Sequence, residues 1–171
     1  MKKILIINTG GTFNKIYNPI TGELDIDTKN NALKSISQAW LIEFNTLNII
    51  GKDSLEMTQK DREEILYHIK QSSYQEIIIV HGTDTMDQTA KYLAEAKLNK
   101  RIVLTGSMVP FSINSIEASV NFASAYGFLQ GVQNSGVYIA MNGKIGTYLK
   151  IQKNKEKGFF ELTNVKAQRQ S

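Results

Sequence analysis

The sequence predicts an α/β domain: a three-layer parallel sheet with helices on both faces and a flavodoxin-like strand order. Three observations carry this. Ile4-Leu5-Ile6-Ile7 and Ile77-Ile78-Ile79-Val80 are short runs rich in β-branched residues with no polar alternation, as expected of parallel strands covered on both faces. Strand-like and helix-like segments alternate along the chain, the pattern of successive βαβ units. The strand-like runs break into glycine and hydroxyl residues, which mark tight turns at strand ends.

Taken in order, the first strand, Ile4 to Asn8, runs straight into Thr9-Gly10-Gly11-Thr12. Residues Phe13 to Thr28 hold Asn14, Asn18, Pro19, Thr21, Gly22 and Asp25 without a sustained apolar period, and read as a long lid-like loop. A short helix from Asn30 to Gln38 buries Leu33 and Ile36. A second strand follows from Phe44 to Ile50, closed by Gly51. The next helix, Gln59 to Gln71, has Thr58 and Asp61 as an N-terminal cap and Ile65, Leu66 and Ile69 as its apolar stripe. The third strand ends in His81-Gly82-Thr83-Asp84-Thr85 and feeds a helix from Met86 to Ala96. The fourth, Arg101 to Leu104, runs into Thr105-Gly106-Ser107. A long helix over Ile113 to Leu129 and a fifth strand over Gly136 to Met141 complete the alternation. Beyond Asn142 the pattern weakens, and Phe159-Phe160 begins a last short strand.

A length of 171 residues suits one domain, and 42% hydrophobic with 21% charged residues is the composition of a soluble globular protein. The net charge of +4 is too small and too scattered to imply a nucleic-acid partner. Much of it falls late, in Lys150, Lys153, Lys155, Lys157, Lys166 and Arg169, and reads as a solvated basic segment. With no cysteine, disulfides, thiolate nucleophiles and cysteine-ligated zinc are excluded, and two isolated histidines, His68 and His81, argue against a metal site or a Ser-His-Asp triad. Neither a metal nor a cofactor is expected. The apolar run after Lys2-Lys3 stops at Ile7, short of the ~7–15 residues of a signal-peptide core. Nothing approaches the ~18 apolar residues of a membrane span. A cytoplasmic protein without membrane partners is expected.

In open parallel sheets ligands bind beyond the carboxyl ends of the strands. The loops that should meet there are Thr9 to Thr12, Asp53 to Thr58, His81 to Asp87 and Thr105 to Asn114, all carrying hydroxyls. Thr12 and Thr83 each follow a glycine just past a strand. Taken alone, Thr9 and Thr12 suit ordinary turn residues, and Asp84 suits a helix N-terminus. In a buried pocket Asp84 needs a cation, either Lys100 just before the fourth strand or an ammonium group on a ligand. Neither a Walker-type phosphate loop nor a full dinucleotide fingerprint is present.

Thr9-Gly10-Gly11-Thr12, His81-Gly82-Thr83-Asp84-Thr85-Met86 and Leu104-Thr105-Gly106-Ser107-Met108-Val109-Pro110 together resemble the bacterial asparaginase/glutaminase family, over about Lys2 to Phe160. The resemblance covers only the N-terminal domain of the long enzymes, as in short forms without the C-terminal domain. It implies an asparaginase N-terminal catalytic domain at 1–160 and a basic tail at 161–171, whose order is left open. It implies Thr12 as nucleophile and Tyr17 in the lid as its activating tyrosine. Thr83, Asp84 and Lys100 fall on a hydrogen-bonded set across the substrate. Ser54 matches the serine holding the substrate's α-carboxylate, Asp84 the group receiving its α-ammonium, and Gly11, Leu55 and Ser107 complete the substrate contacts. Leu55 and Val109 depart from the polar residue and the arginine frequent at those places, and an acidic residue supplied by a neighbouring subunit's C-terminal domain has no counterpart.

The implied activity is hydrolysis of L-asparagine to L-aspartate and ammonia through an acyl-threonine, by a homo-oligomer, dimer or tetramer. A zwitterionic amide substrate needs a carboxylate, hydroxyl donors and a nucleophile, which Asp84, Ser54 and Thr12 supply; which group activates Thr12 is left open. The alternatives are a catalytically idle amino-acid binding domain and an amidase acting on a larger amide.

Overall fold

A computed structural model of the chain describes residues 1–163. Lys166 and Arg169 of the expected tail lie outside the described residues. The elements run β1 (Ile4–Gly10), a 3-10 turn at Thr12–Asn14, β2 (Lys15–Tyr17), β3 (Leu24–Ile26), α1 (Asn31–Trp40), β4 (Asn45–Lys52), a 3-10 turn at Ser54–Glu56, α2 (Gln59–Gln71) and β5 (Glu76–Val80). There follow α3 (Met86–Glu95), β6 (Arg101–Thr105), α4 (Ser115–Gly131), β7 (Gly136–Met141), β8 (Lys144–Thr147), β9 (Ile151–Asn154) and β10 (Phe159–Leu162).

One six-stranded sheet has the order β4-β1-β5-β6-β7-β8. Its first five strands are parallel, and β8 folds back antiparallel on β7. Counting only the parallel strands in chain order, the arrangement is second, first, third, fourth, fifth, the flavodoxin-like order. The four consecutive apolar residues of β5 are fully buried because helices cover both faces. Ile77 and Ile79 pack with Ile65 and Ile69 of α2 and Leu93 of α3, while Ile78 and Val80 pack with Leu33 of α1 and Phe122 of α4. Alternate side chains of one strand thus serve opposite cores.

Local chemistry sets the helix ends. At the start of α2 the Asp61 amide donates to Thr58 Oγ1 at 3.3 Å and Asp61 Oδ2 accepts from the Thr58 amide at 2.6 Å, a complete capping box. Helix α1 runs to Trp40 rather than Gln38 because the indole joins an aromatic cluster, 5.7 Å from the rings of Phe44 and Phe122 and 5.4 Å from Tyr126. Such pairs add ~0.5–1.5 kcal/mol each beyond area burial, enough to outweigh weak helix propensity at the end.

Two stretches differ from the sequence expectation. Residues 13–28 are not one loop: after the 3-10 turn, β2 and β3 pair antiparallel from Lys15↔Ile26 to Tyr17↔Leu24. Three-residue strands are too short to show a period. Between Asn142 and Leu162, where the pattern weakens, three short strands form: β8 and β9 were not expected, β10 begins at Phe159 as expected, and β9 pairs with β10 as a separate ribbon beyond the sheet edge. β10 extends past residue 160 to Leu162.

Candidate active site

The β1 turn is pressed into place by its glycines. Gly10 and Gly11 have φ of 105° and 74°, which residues with a Cβ rarely adopt. A Cβ on Gly10 would lie 2.6 Å from the Lys52 carbonyl oxygen, and one on Gly11 would lie 2.5 Å from the Gly82 nitrogen. Gly82 is itself packed on Ser54, whose Cβ would be 2.6 Å from a Cβ added there. The ends of β1, β4 and β5 therefore touch through backbone, and Thr12 and Thr83 each follow one of the two touching glycines.

Around Thr83 an ion cluster forms. The Lys153 ammonium donates to Thr83 Oγ1 at 2.9 Å and to Asp84 Oδ1 at 2.6 Å. Thr83 is 5% exposed, and the Lys153 side chain 11%, so the contact is shielded from water. Lys153 arrives from β9, where residues two apart share a face. Ile151 on that strand is fully buried in the core, and Phe160, the cross-strand partner of Lys153, is nearly so. These anchors aim the lysine at the strand ends.

Lys100 does not join this set, which corrects the sequence expectation. Its ammonium donates to the carbonyls of Ser72 at 2.8 Å and Tyr74 at 2.6 Å, beside the end of α2. It precedes β6, so it sits at the amino end of a parallel strand, while the site lies past the carboxyl end, five residues at ~3.3 Å each away. Burial lowers its pKa there, but no site carboxylate faces it.

Ser54 is fully buried. Its Oγ accepts from the Asp84 amide at 3.1 Å and its carbonyl accepts from Thr85 Oγ1 at 2.8 Å, which locks the β4 and β5 loops together. Because the Oγ is used as an acceptor, its proton remains free to donate. Leu55, beside it, is 73% exposed. Ser107 is buried, and its hydroxyl donates to the Val109 carbonyl at 2.6 Å, closing its own loop. Tyr17 stands apart at the end of β2, 62% exposed on the hairpin.

That hairpin is tied to the site at its base. Lys15 Nζ donates to Asp53 Oδ2 at 2.7 Å, one residue before Ser54, and Ser112 Oγ donates to the Lys15 carbonyl at 2.7 Å. Burial pushes the Asp53 pKa up, but the Lys15 hydrogen bond and charge with the Leu55 amide prevail and hold it below the ordinary value.

His81 is wholly buried under the same loop. Its Nδ1–H donates to the Gly82 carbonyl at 2.6 Å, so Nε2 accepts from Thr89 Oγ1 at 2.9 Å. Burial, aided by the Arg62 guanidinium, pushes its pKa down to about 4. The ring is a neutral strut rather than a base.

Sequence reasoning missed Lys153 and Lys15 as site elements, and placed Asp53 in a site loop without giving it a role. Lys153 lay in a lysine-rich stretch without apolar period, so only its spacing from Ile151 could have marked it as inward-facing. Among the described residues no cluster of three or more His, Asp or Glu side chains could hold a metal ion.

A family model described as "Asparaginase, N-terminal" matches residues 3–169. The chain is 28% identical over 163 residues to a protein named "Probable L-asparaginase periplasmic" from Haemophilus influenzae, covering 85% of this chain and 44% of that protein. It is 27% identical over 158 residues to "Glutaminase-asparaginase" from Acinetobacter glutaminasificans, covering 83% of this chain and 46% of that one. Among solved structures, the thermostable L-asparaginase from Thermococcus kodakarensis matches with a TM-score of 0.80 at 25% identity, over 95% of this chain and 51% of that chain. The probable cytoplasmic L-asparaginase from Campylobacter jejuni matches with a TM-score of 0.73 at 27% identity, over 90% and 50%. The chain thus spans about half the length of these relatives.

Proposed function

Given that the chain belongs to the asparaginase family, we propose that it hydrolyses L-asparagine to L-aspartate and ammonia through an ester on Thr12. The observation that carries this reading is the Lys153 ammonium bonded at once to Thr83 and Asp84, next to the glycine contact that brings the Thr12 turn against the same loop. Thr12 Oγ1 attacks the side-chain amide carbon as its proton passes to a base. The Thr12 backbone N–H stabilises the oxyanion, since the Gly10, Gly11 and Asn14 N–H groups already donate within the protein. Collapse breaks the C–N bond, the nitrogen leaves as ammonia after taking a proton, and an ester remains. Water then attacks the ester carbon, and its proton returns to Thr12.

The fixed charges suit a zwitterion. Asp84 holds Lys153 through Oδ1, which leaves Oδ2 to accept from the substrate's α-ammonium. Ser54, with its free hydroxyl proton, donates to the α-carboxylate. Thr83, pinned by Lys153, passes protons between the attacking water and the Lys153–Asp84 pair. Tyr17 reaches Thr12 only when the hairpin folds inward over the site. Gly11, Leu55 and Ser107 stay in the proposal as wall residues.

The proposal includes a homo-oligomer in the cytoplasm. Exposed Ile116 and Val120, one turn apart on α4, support self-association. No helix among the described residues is long and apolar enough to cross a membrane.

The test is ammonia release from L-asparagine and L-glutamine by the protein beside Thr12→Ala. Release by the parent and none by the variant supports the hydrolase and its nucleophile. If neither releases ammonia, the enzyme reading fails for these substrates, and an idle amino-acid binding domain, or an amidase for a larger amide, takes its place.

A further inference from the structure

Strand β1 carries a side-chain amide, Asn8, directly after its apolar run Ile4 to Ile7. Asn8 is 5% exposed, Asn14 across the Thr12 turn is 2% exposed, and Asn30 is 9% exposed. A buried amide is costly unless its groups are paired, and here they are. Asn8 Nδ2 donates to Asn14 Oδ1 at 3.1 Å and to Asn30 Oδ1, while Asn14 Nδ2 donates back to Asn8 Oδ1 at 2.8 Å.

The pair also grips the backbone between its members. Asn14 Nδ2 donates to the Gly10 carbonyl at 2.7 Å, and the Gly10 amide donates to Asn8 Oδ1 at 3.3 Å. The Asn14 amide closes the turn on the Gly11 carbonyl at 3.1 Å. Packing does not supply this restraint from every side: Asn8 and Gly10 line a small cavity of about 150 Å³, together with Asp27 and Asn48. Close backbone contacts with Lys52 and Gly82 hold one side of the turn, and these directional bonds hold the other.

We propose that Asn8 and Asn14 are positioning residues that hold the Thr12 hydroxyl in its attacking place; this rests on reading Thr12 as the nucleophile. Asn30, in the left-handed region at φ 59° before α1, extends the same restraint to the first helix. Reacting atoms must approach to ~3–3.5 Å, and a misplacement of ~1 Å can cost ~100-fold in rate. A turn freed from its amide clamp would suffer that loss while substrate still binds through Asp84 and Ser54.

The test compares the parent with Asn14→Ser and with the double variant Asn8→Leu/Asn14→Leu. The double change removes both amides together, so neither faces the other unpaired; Asn30 Oδ1 and the Gly10 N–H and carbonyl each lose one partner, a cost the melt reads. Three quantities are read: thermal melting, amide hydrogen exchange of Gly11 and Thr12 by NMR, and kcat and KM for ammonia release. The expected result is a cooperative melt, turn amides exchanging at least ~10-fold faster, kcat lower by ~100-fold and KM within ~3-fold. Unchanged exchange in a folded variant overturns the proposal, as does faster exchange with kcat within ~3-fold of the parent. Should the double variant fail to fold, Asn14→Ser gives the same readings. A parent that releases no ammonia sinks the hydrolase reading instead, and the exchange comparison alone then decides whether the pair holds the turn.

Discussion

Replacing Lys153 by methionine keeps the length of the side chain and removes its charge, and so separates catalysis from stability. The contact it deletes is two charge-assisted bonds, to Thr83 Oγ1 at 2.9 Å and Asp84 Oδ1 at 2.6 Å. Breaking a fully buried ion pair costs ~3–5 kcal/mol, but the Asp84 side chain keeps 33% of its surface in water, and solvent screens part of the loss. A stability cost of ~1–2 kcal/mol follows, and for a chain of this size that lowers Tm by ~2–8 °C. Proton transfer by a positioned group contributes ~100- to 10,000-fold, or about 3–5 kcal/mol of barrier. Lys153→Met is therefore expected to lower kcat by at least ~100-fold with a modest change in melting. Lys100→Met is the control: it strips donors from the Ser72 and Tyr74 carbonyls, costs ~1–3 kcal/mol of stability, and leaves kcat unchanged. Ammonia release and thermal melting of both variants decide the matter. A Lys153→Met enzyme within tenfold of the parent, or a Lys100→Met enzyme slower than it, refutes the placement of the lysine.

Two further outcomes are expected from pH. His81 has its folded pKa lowered to about 4 from 6.5, so the unfolded chain binds the extra proton first. Stability is full above pH 6.5 and falls by up to about 3 kcal/mol as pH drops to 4; denaturant melts of His81→Gln should lose that slope, and an unchanged slope would move the effect elsewhere. Asp53 has a depressed pKa, so its latch to Lys15 contributes above the ordinary carboxylate value of ~3.9 and is lost as pH falls through the lower folded value. Asp53→Asn should remove that acid-side loss and raise proteolytic nicking at the β2–β3 hairpin at neutral pH; equal nicking of parent and variant would show that the ion pair does not restrain it.

The parallel sheet was legible because its signal is local. β5 declares itself by four consecutive apolar residues, and α2 by a cap and a stripe, so Gln59–Gln71 matches residue for residue. The turns bearing Thr12, Ser54 and Thr83 followed from strand ends in a parallel sheet. The β2–β3 hairpin escaped because three-residue strands repeat nothing. The lysine escaped for a different reason. The family resemblance pointed to Lys100, just before β6, whereas strand direction puts it at the far end of the sheet. Lys153 reaches Thr83 by a path through β8 and β9 that no short-range pattern records. Asn8 and Asn14 read as polar residues near a turn, and only the fold shows their amides facing each other.

The lysine's route also has a temporal consequence. Thr83 and Lys153 are 70 residues apart in the chain, and β9 needs β10 beside it. On a ribosome adding ~5–20 residues per second, the Thr12 turn emerges seconds before the ammonium that completes the opposite wall. On the acyl-threonine reading proposed above, a nascent chain carries Thr12 without that ammonium until the β9–β10 ribbon forms.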